Sequence, residues 1–202
     1  MGAVLEMMRA LILALALSAC SAPQAPDPRK VLSRAQLDQL DTPLLLAEID
    51  RLDTVATLIP RGENRGMITW QTGGQVALMF RDGVLVGTRG LGDDLMSADV
   101  SNTRAMLAGQ AIPEFYPRFH SGLDGTFQTT FRTFQCQRIA AEPETITIFG
   151  RPHATTRTDE RCVSPGLDVT NSYWRDGSGL MWKSRQWISK NVGYVLTERL
   201  VR

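Results

Sequence analysis

Gln75-Val76-Ala77-Leu78-Met79-Phe80-Arg81-Asp82-Gly83-Val84-Leu85-Val86-Gly87-Thr88-Arg89 is the stretch that decides the fold class. Val76, Leu78 and Phe80 fall at every second position, the period of a strand with one face turned to a core. Asp82-Gly83 then separates two apolar runs, and this dipeptide suits a type I′ turn, whose two central residues both need positive φ. Residues 84–89 return as the second arm of an antiparallel hairpin. Upstream, residues 67–72 read as a strand closed by Gly73-Gly74, and residues 60–66 as a turn. Residues 44–59 read as an early strand interrupted near 51–53. A helix over 42–52 is its rival, since Leu45, Ile49 and Leu52 also fall at helical spacing.

Downstream, Gly90-Leu91-Gly92-Asp93-Asp94-Leu95 is an irregular crossing bracketed by two glycines. Ser101 suits the N-cap of a short helix ending at Gly109. Residues 112–125, with Pro113, Pro117, Gly122 and Gly125, read as a loop. Residues 126–139 form a long strand rich in Thr and Phe. Phe127 and Phe131 share one face and Phe134 and Cys136 the other, a phase change that suggests a bulge or burial on both faces. Strands follow over 145–149 and 154–163, then over 171–175 and 180–188 around the turn Asp176-Gly177-Ser178-Gly179, and over 193–200. Near the start, Ser33 caps a short helix over 34–40. The expected fold is mainly β: an antiparallel, strongly curved sheet or barrel-like single domain over residues 33–202, with one or two short helices.

The N-terminus carries a different signal. The apolar run from Ala10 to Leu17 is too short to span a bilayer, which takes about 20 residues. It ends in Leu17-Ser18-Ala19-Cys20, which resembles a bacterial lipobox. Residues 1–19 then form a lipoprotein signal peptide, and Cys20 becomes the first mature residue and the site of lipid (palmitate) attachment. An ordinary cleaved signal with a coincidental cysteine is the alternative. Residues 20–32 make a lipidated cysteine and a tether, where Pro23, Pro26 and Pro28 favour an extended, solvated chain. Ser21, in place of the aspartate that favours inner-membrane retention, points to a periplasm-facing protein of the outer membrane.

Length and charge bound the rest. The 202 residues suffice for one domain with a core and are short for two. Lys+Arg 22 against Asp+Glu 21 leaves a net charge of +1. The signal contains one charge of each sign, Glu6 and Arg9, so cleavage changes nothing. Such balance argues against nucleic acid as a partner and against a polybasic grip on lipid. With Cys20 assigned to the lipobox, Cys136 and Cys162 form an even pair in an exported chain, expected to make a disulfide contributing roughly 3–4 kcal/mol in the chain-entropy model. Two free buried thiols are the alternative.

No catalytic constellation stands out. Asp93-Asp94 lacks the oxygen-ligand pattern of a calcium loop. A structural role fits better, one aspartate taking up amides of the 90–95 crossing and the other pairing with Arg89. His120 and His153 are far apart in sequence and lack the further ligands that zinc needs, so neither a metal nor a cofactor is expected. There is no Gly-x-Ser-x-Gly elbow, Gly-x-Gly-x-x-Gly or Walker loop, and an enzyme is not expected. The tryptophans invite a binding surface. On the strand over 180–188, Trp182 lies on one face, while Lys183, Arg185 and Trp187 lie on the other, a mixed face suited to stacking on a glycan or a partner. Trp182 in the core, with Trp187 packed under a basic side chain, is the competing reading.

Two segments carry a resemblance: Leu85-Val86-Gly87-Thr88-Arg89-Gly90-Leu91-Gly92-Asp93-Asp94-Leu95 and Tyr173-Trp174-Arg175-Asp176-Gly177-Ser178-Gly179-Leu180-Met181-Trp182-Lys183-Ser184-Arg185-Gln186-Trp187. With the lipobox, they resemble the YjbF family of lipoproteins, including group 4 capsule lipoproteins of the GfcB type. The likeness runs from about Leu44 to the C-terminus, through Glu144–Arg151 and the cysteine pair, and is weakest over 99–122. It implies a β-rich, outer-membrane lipoprotein encoded with capsule or exopolysaccharide genes, and it supplies no catalytic residues. The expected function is therefore an accessory in exopolysaccharide or capsule production or export, binding glycan or export partners. An envelope interaction module without glycan contact is the first alternative, and a polysaccharide-modifying enzyme the second.

Overall fold

A computed structural model of the chain describes residues 26–123, 126 and 128–202. The signal peptide, Cys20, Ser21 and the first part of the tether lie outside these residues, as does Phe127. Two single-turn helices, α1 (Pro28–Val31) and α2 (Arg34–Leu37), lead into the sheet. Ser33 caps α2, its hydroxyl and backbone exchanging bonds with Gln36 in a capping box.

Twelve strands follow: β1 (Leu44–Ile49), β2 (Thr54–Asn64), β3 (Met67–Gln71), β4 (Ala77–Arg81), β5 (Val84–Arg89), β6 (Asp94–Asp99), β7 (Tyr116–Leu123), β8 (Thr129–Ile148), β9 (Arg151–Ser164), β10 (Leu167–Arg175), β11 (Met181–Ser189) and β12 (Gly193–Val201). They form one sheet in the order β5-β4-β3-β2-β1-β12-β11-β10-β9-β8-β7-β6. Strands consecutive in sequence pair antiparallel, except β5 and β6, and β1 pairs with β12. The sheet thus curls into a nearly closed barrel whose seam lies between β5 and β6. The third helix, α3 (Ser101–Leu107), follows β6.

The Asp82-Gly83 turn has both φ values positive, 51° and 81°. A Cβ on Gly83 would lie 2.6 Å from Cβ of Met181, so the turn presses directly on β11. Residues 84–88 of β5 are buried on both faces. Leu85 joins a cluster with Leu58, Trp70, Leu78 and Val195. Val84 and Val86 join another with Tyr173 and Met181. The seam strand is tucked inside the barrel, which explains its unbroken apolar run.

Several elements differ from the reading of the sequence. Residues 44–59 divide into two strands, β1 and β2, joined by a 3₁₀ turn at Asp50–Leu52 with Asp53 left-handed (φ 45°). No helix spans 42–52. Strand β2 runs on through Pro60 to Asn64, with a register shift between Pro60 and Gly62 that absorbs the proline, so the turn is only Arg65-Gly66. Val100, not Ser101, is the N-cap of α3, and Asp99 accepts the Ser101 amide. Residues 116–123 are a strand and not loop. Its inward residues are Tyr116, Arg118 and His120, so an apolar period was absent although the alternation was present. β8 is one 20-residue strand, with a register shift between Arg138 and Ala140. Cys136 and Cys162 face each other across β8 and β9 and are disulfide-bonded.

Candidate functional site

The barrel encloses a polar centre. Alternation along β9 turns Glu160 and Cys162 inward, and Glu160 is wholly buried. Its Oε1 accepts from Thr103 Oγ1 (2.5 Å) and the Tyr116 hydroxyl (2.9 Å). Its Oε2 accepts from Arg118 Nη1 (2.9 Å), the Tyr173 hydroxyl (3.0 Å) and Asn171 Nδ2 (3.1 Å). Arg118 Nε in turn donates to His120 Nε2 at 3.0 Å, which leaves the proton of the neutral imidazole on Nδ1. Burial, then the charges of Arg118 and Arg132, hold His120 well below the usual histidine range. Burial and the Glu160 charge raise both phenols. A buried charge pair with every carboxylate lone pair used is a structural anchor that fixes β7, β9, β10 and α3 against one another. Glu160 and the two cysteine sulfurs also lie within 4.8 Å of one another. However, the sulfurs are bonded to each other and the carboxylate is filled by its five donors.

At one end of the barrel the β2–β3, β4–β5 and β10–β11 turns converge around a cavity of about 490 Å³. Its walls include Trp70, Phe80 and Trp182, with Arg175, Arg199 and Arg202, and the carboxylates of Glu63 and Asp82. Asp82 is held by Arg104 in an ion pair. Arg175 donates to the carbonyls of Leu107 and Gly179, and Arg202 to Ser178 Oγ at 3.1 Å. Arg199 lies over the Trp70 ring at 5.1 Å. Burial, then the charge of Arg202, lowers its pKa. A second cavity, about 310 Å³, adjoins the first and shares Trp182 and Arg202 with it, adding Arg34, Arg151 and His153. Trp182 therefore stands between two arginine-lined hollows. Its ring packs on His153 (3.7 Å) and its Nε1 donates to Asp176 Oδ2 (2.9 Å).

The residues singled out from the sequence are dispersed. Trp187 is buried among Tyr116, Phe134 and the disulfide, stacked on His120 at 5.9 Å. Lys183 pairs with Glu198 (3.4 Å) and lies over Trp174 (5.4 Å). Arg185 covers Tyr194 at 3.5 Å. These three do not make one open platform, because the end of β11 turns Trp187 into the core while Arg185 stays outside. Asp94 serves the seam: it accepts from the Gly90 and Leu91 amides and from Thr88 Oγ1. Arg89 donates to the Thr88 and Leu95 carbonyls rather than to an aspartate, since Asp94 is already occupied by those amides. Asp93 accepts the Asn191 amide at 3.3 Å.

Trp70, Arg175, Arg199 and Arg202 escaped the sequence reading. One signal was available: Val195, Thr197 and Arg199 share a phase on β12, and an arginine continues a row that Val195 and Thr197 bury.

Among solved structures, the fold is similar to that of the hypothetical lipoprotein YmcC from Escherichia coli K12. The TM-score is 0.73 at 19% identity, covering 85% of this chain and 89% of that one. No curated protein matches the chain. Residues 10–200 match the family described as group 4 capsule polysaccharide lipoprotein gfcB, YjbF. A match of that extent over the strands that build the barrel and its cleft means that the chain belongs to the YjbF family of lipoproteins.

Proposed function

We propose that this lipoprotein is an accessory in exopolysaccharide or capsule production and export, tethered through Cys20 to the outer membrane and facing the periplasm. It acts by binding glycan in the cleft that Trp182 divides, without catalysing a reaction. The observation that carries this reading is the pairing of aromatic side chains, among them the half-buried Trp182, with arginines in one cavity large enough for sugar rings. Tryptophan faces stack on sugar rings and guanidinium groups fork onto their oxygens. Family membership adds the association with capsule polysaccharide. Deletion of the gene, complemented by the wild-type chain and by a Trp182→Ala variant, tests it. Surface polysaccharide is expected to fall on deletion and to be restored only by the wild type. Unchanged polysaccharide on deletion overturns the reading.

A second reading, contact with an export protein, rests on the outward faces of β7–β9. Phe119 and Phe131 are 47% and 82% exposed there, beside exposed Phe115 and Val163. Exposed aromatics grouped on one face are a feature of protein interfaces.

A further inference from the structure

The arginine of the cleft that has no carboxylate specifies its ligand. Arg199 is on the inward phase of β12, opposite Leu45 of β1. Its Nε is buried and has no hydrogen-bond partner. Among the described residues no ion pair reaches it, whereas Asp82 is engaged by Arg104 and Asp38 is shared by Arg34 and Arg151. A guanidinium whose Nε is shielded from water and left without an acceptor carries a desolvation cost that an anionic ligand on the same group offsets. Trp70 holds it in place by cation–π contact. The flanking Arg175 and Arg202 donate to neutral groups, and Arg175 also feels the charges of Asp82 and Asp176.

Building on the glycan-binding reading above, we infer that the cleft takes an acidic saccharide and that Arg199 receives the sugar carboxylate. The planar guanidinium offers its two Nη groups as paired donors, a fork that matches a carboxylate. Trp70 and Trp182 line the same cavity as Arg199 and supply apolar wall for the ring that carries the acid.

The test uses the mature lipoprotein in detergent micelles, titrated calorimetrically with trigalacturonate and with its fully methyl-esterified form, which keeps the rings and removes the charge. Trigalacturonate is expected to bind at least ten-fold more tightly than the ester. Arg199→Met is expected to reduce trigalacturonate affinity at least ten-fold while leaving the melting temperature equal or higher, because it removes an unpaired buried charge and keeps the volume. Arg199→Lys, which keeps the charge and loses the fork, is expected to fall between the two. A stability loss in Arg199→Met with unchanged affinity assigns Arg199 a structural role and overturns the inference. Equal binding of acid and ester overturns the acidic-ligand claim while leaving the glycan reading intact. Binding of neither overturns the inference, and the polysaccharide level of the deletion strain then judges the broader reading separately.

Discussion

Gln186 pairs with the backbone of Leu85 as a neighbouring strand would. Its Oε1 accepts the Leu85 amide at 2.8 Å, and its Nε2 donates to the Gly83 carbonyl at 2.9 Å. β5 has no strand partner on its seam side, and its edge is buried. An unpaired amide and carbonyl there would each carry a desolvation penalty. One side chain from β11 satisfies both, so the barrel stays dry at a seam that hydrogen-bonded pairing does not close.

Gln186→Leu keeps the volume and strands both backbone groups. With about 1–3 kcal/mol for each buried unsatisfied group, the melting temperature should fall by roughly 4–24 °C for a domain of this size. Thermal unfolding followed by circular dichroism checks this; an unchanged transition would mean that water or the β6 edge takes over the pairing.

The ion pair of Glu160 with Arg118 is buried on both sides, 0% and 2% exposed. Removing either charge alone leaves the other uncompensated, so Glu160→Gln and Arg118→Met should each lose about 3–5 kcal/mol. The double variant should lose less than the sum of the two, with a coupling of at least 1 kcal/mol. Urea denaturation of the four proteins gives the cycle. Additive losses would show that the hydrogen bonds, and not the charges, hold this centre.

His120 makes stability depend on acid. Its folded pKa lies well below 6.5, held down by burial first and then by Arg118 and Arg132. The unfolded chain takes up a proton near pH 6.5 and the folded chain does not, so this contribution is complete above pH 6.5 and is lost as pH falls below it. Asp93 and Asp94 line the small cavity beside the ring, each accepting a backbone amide and neither bonded to the imidazole. Denaturation midpoints between pH 7 and pH 5 should fall for the wild type, and the slope should flatten in His120→Gln. The same slope in both proteins would place the titration elsewhere, with His153 the next candidate, since burial lowers it too.

The parts of the fold that were legible are those where local chemistry and tertiary role agree. Asp82-Gly83 needed positive φ, and β4 and β5 alternate or run apolar as their burial requires. Strand β7 was hidden because Arg118 and His120 break the apolar period of its inward row, and Tyr116 and Arg118 become core by joining Glu160, 42 residues away in sequence from Arg118. The cleft was half legible. Trp182 declared itself beside the Asp176–Gly179 turn, but Trp70 and Arg199 meet only because β3 and β12 are brought to one end of the barrel by closure. Trp187 misled for the complementary reason: strand phase set it beside Arg185, and tertiary packing moved it onto His120.

The disulfide staples the two strands that carry most of this hidden core. Cys136 and Cys162 are direct cross-strand partners on β8 and β9, wholly buried with Phe134 and Trp187, and Glu160 lies two residues from Cys162 on the same inward face. Breaking it frees a loop of 26 residues in the unfolded chain, which costs roughly 3–4 kcal/mol in the chain-entropy model. Cys136→Ala with Cys162→Ala should lower the unfolding free energy from urea denaturation by that amount, and wild-type protein denatured in dithiothreitol should match the double variant. A double variant as stable as oxidised wild type would mean that the strand pairing of β8 with β9 and the five bonds to Glu160 hold this core together without the bridge. Single Cys136→Ser should do worse than the double alanine variant, because it leaves a free thiol and places a hydroxyl without a partner in an apolar wall.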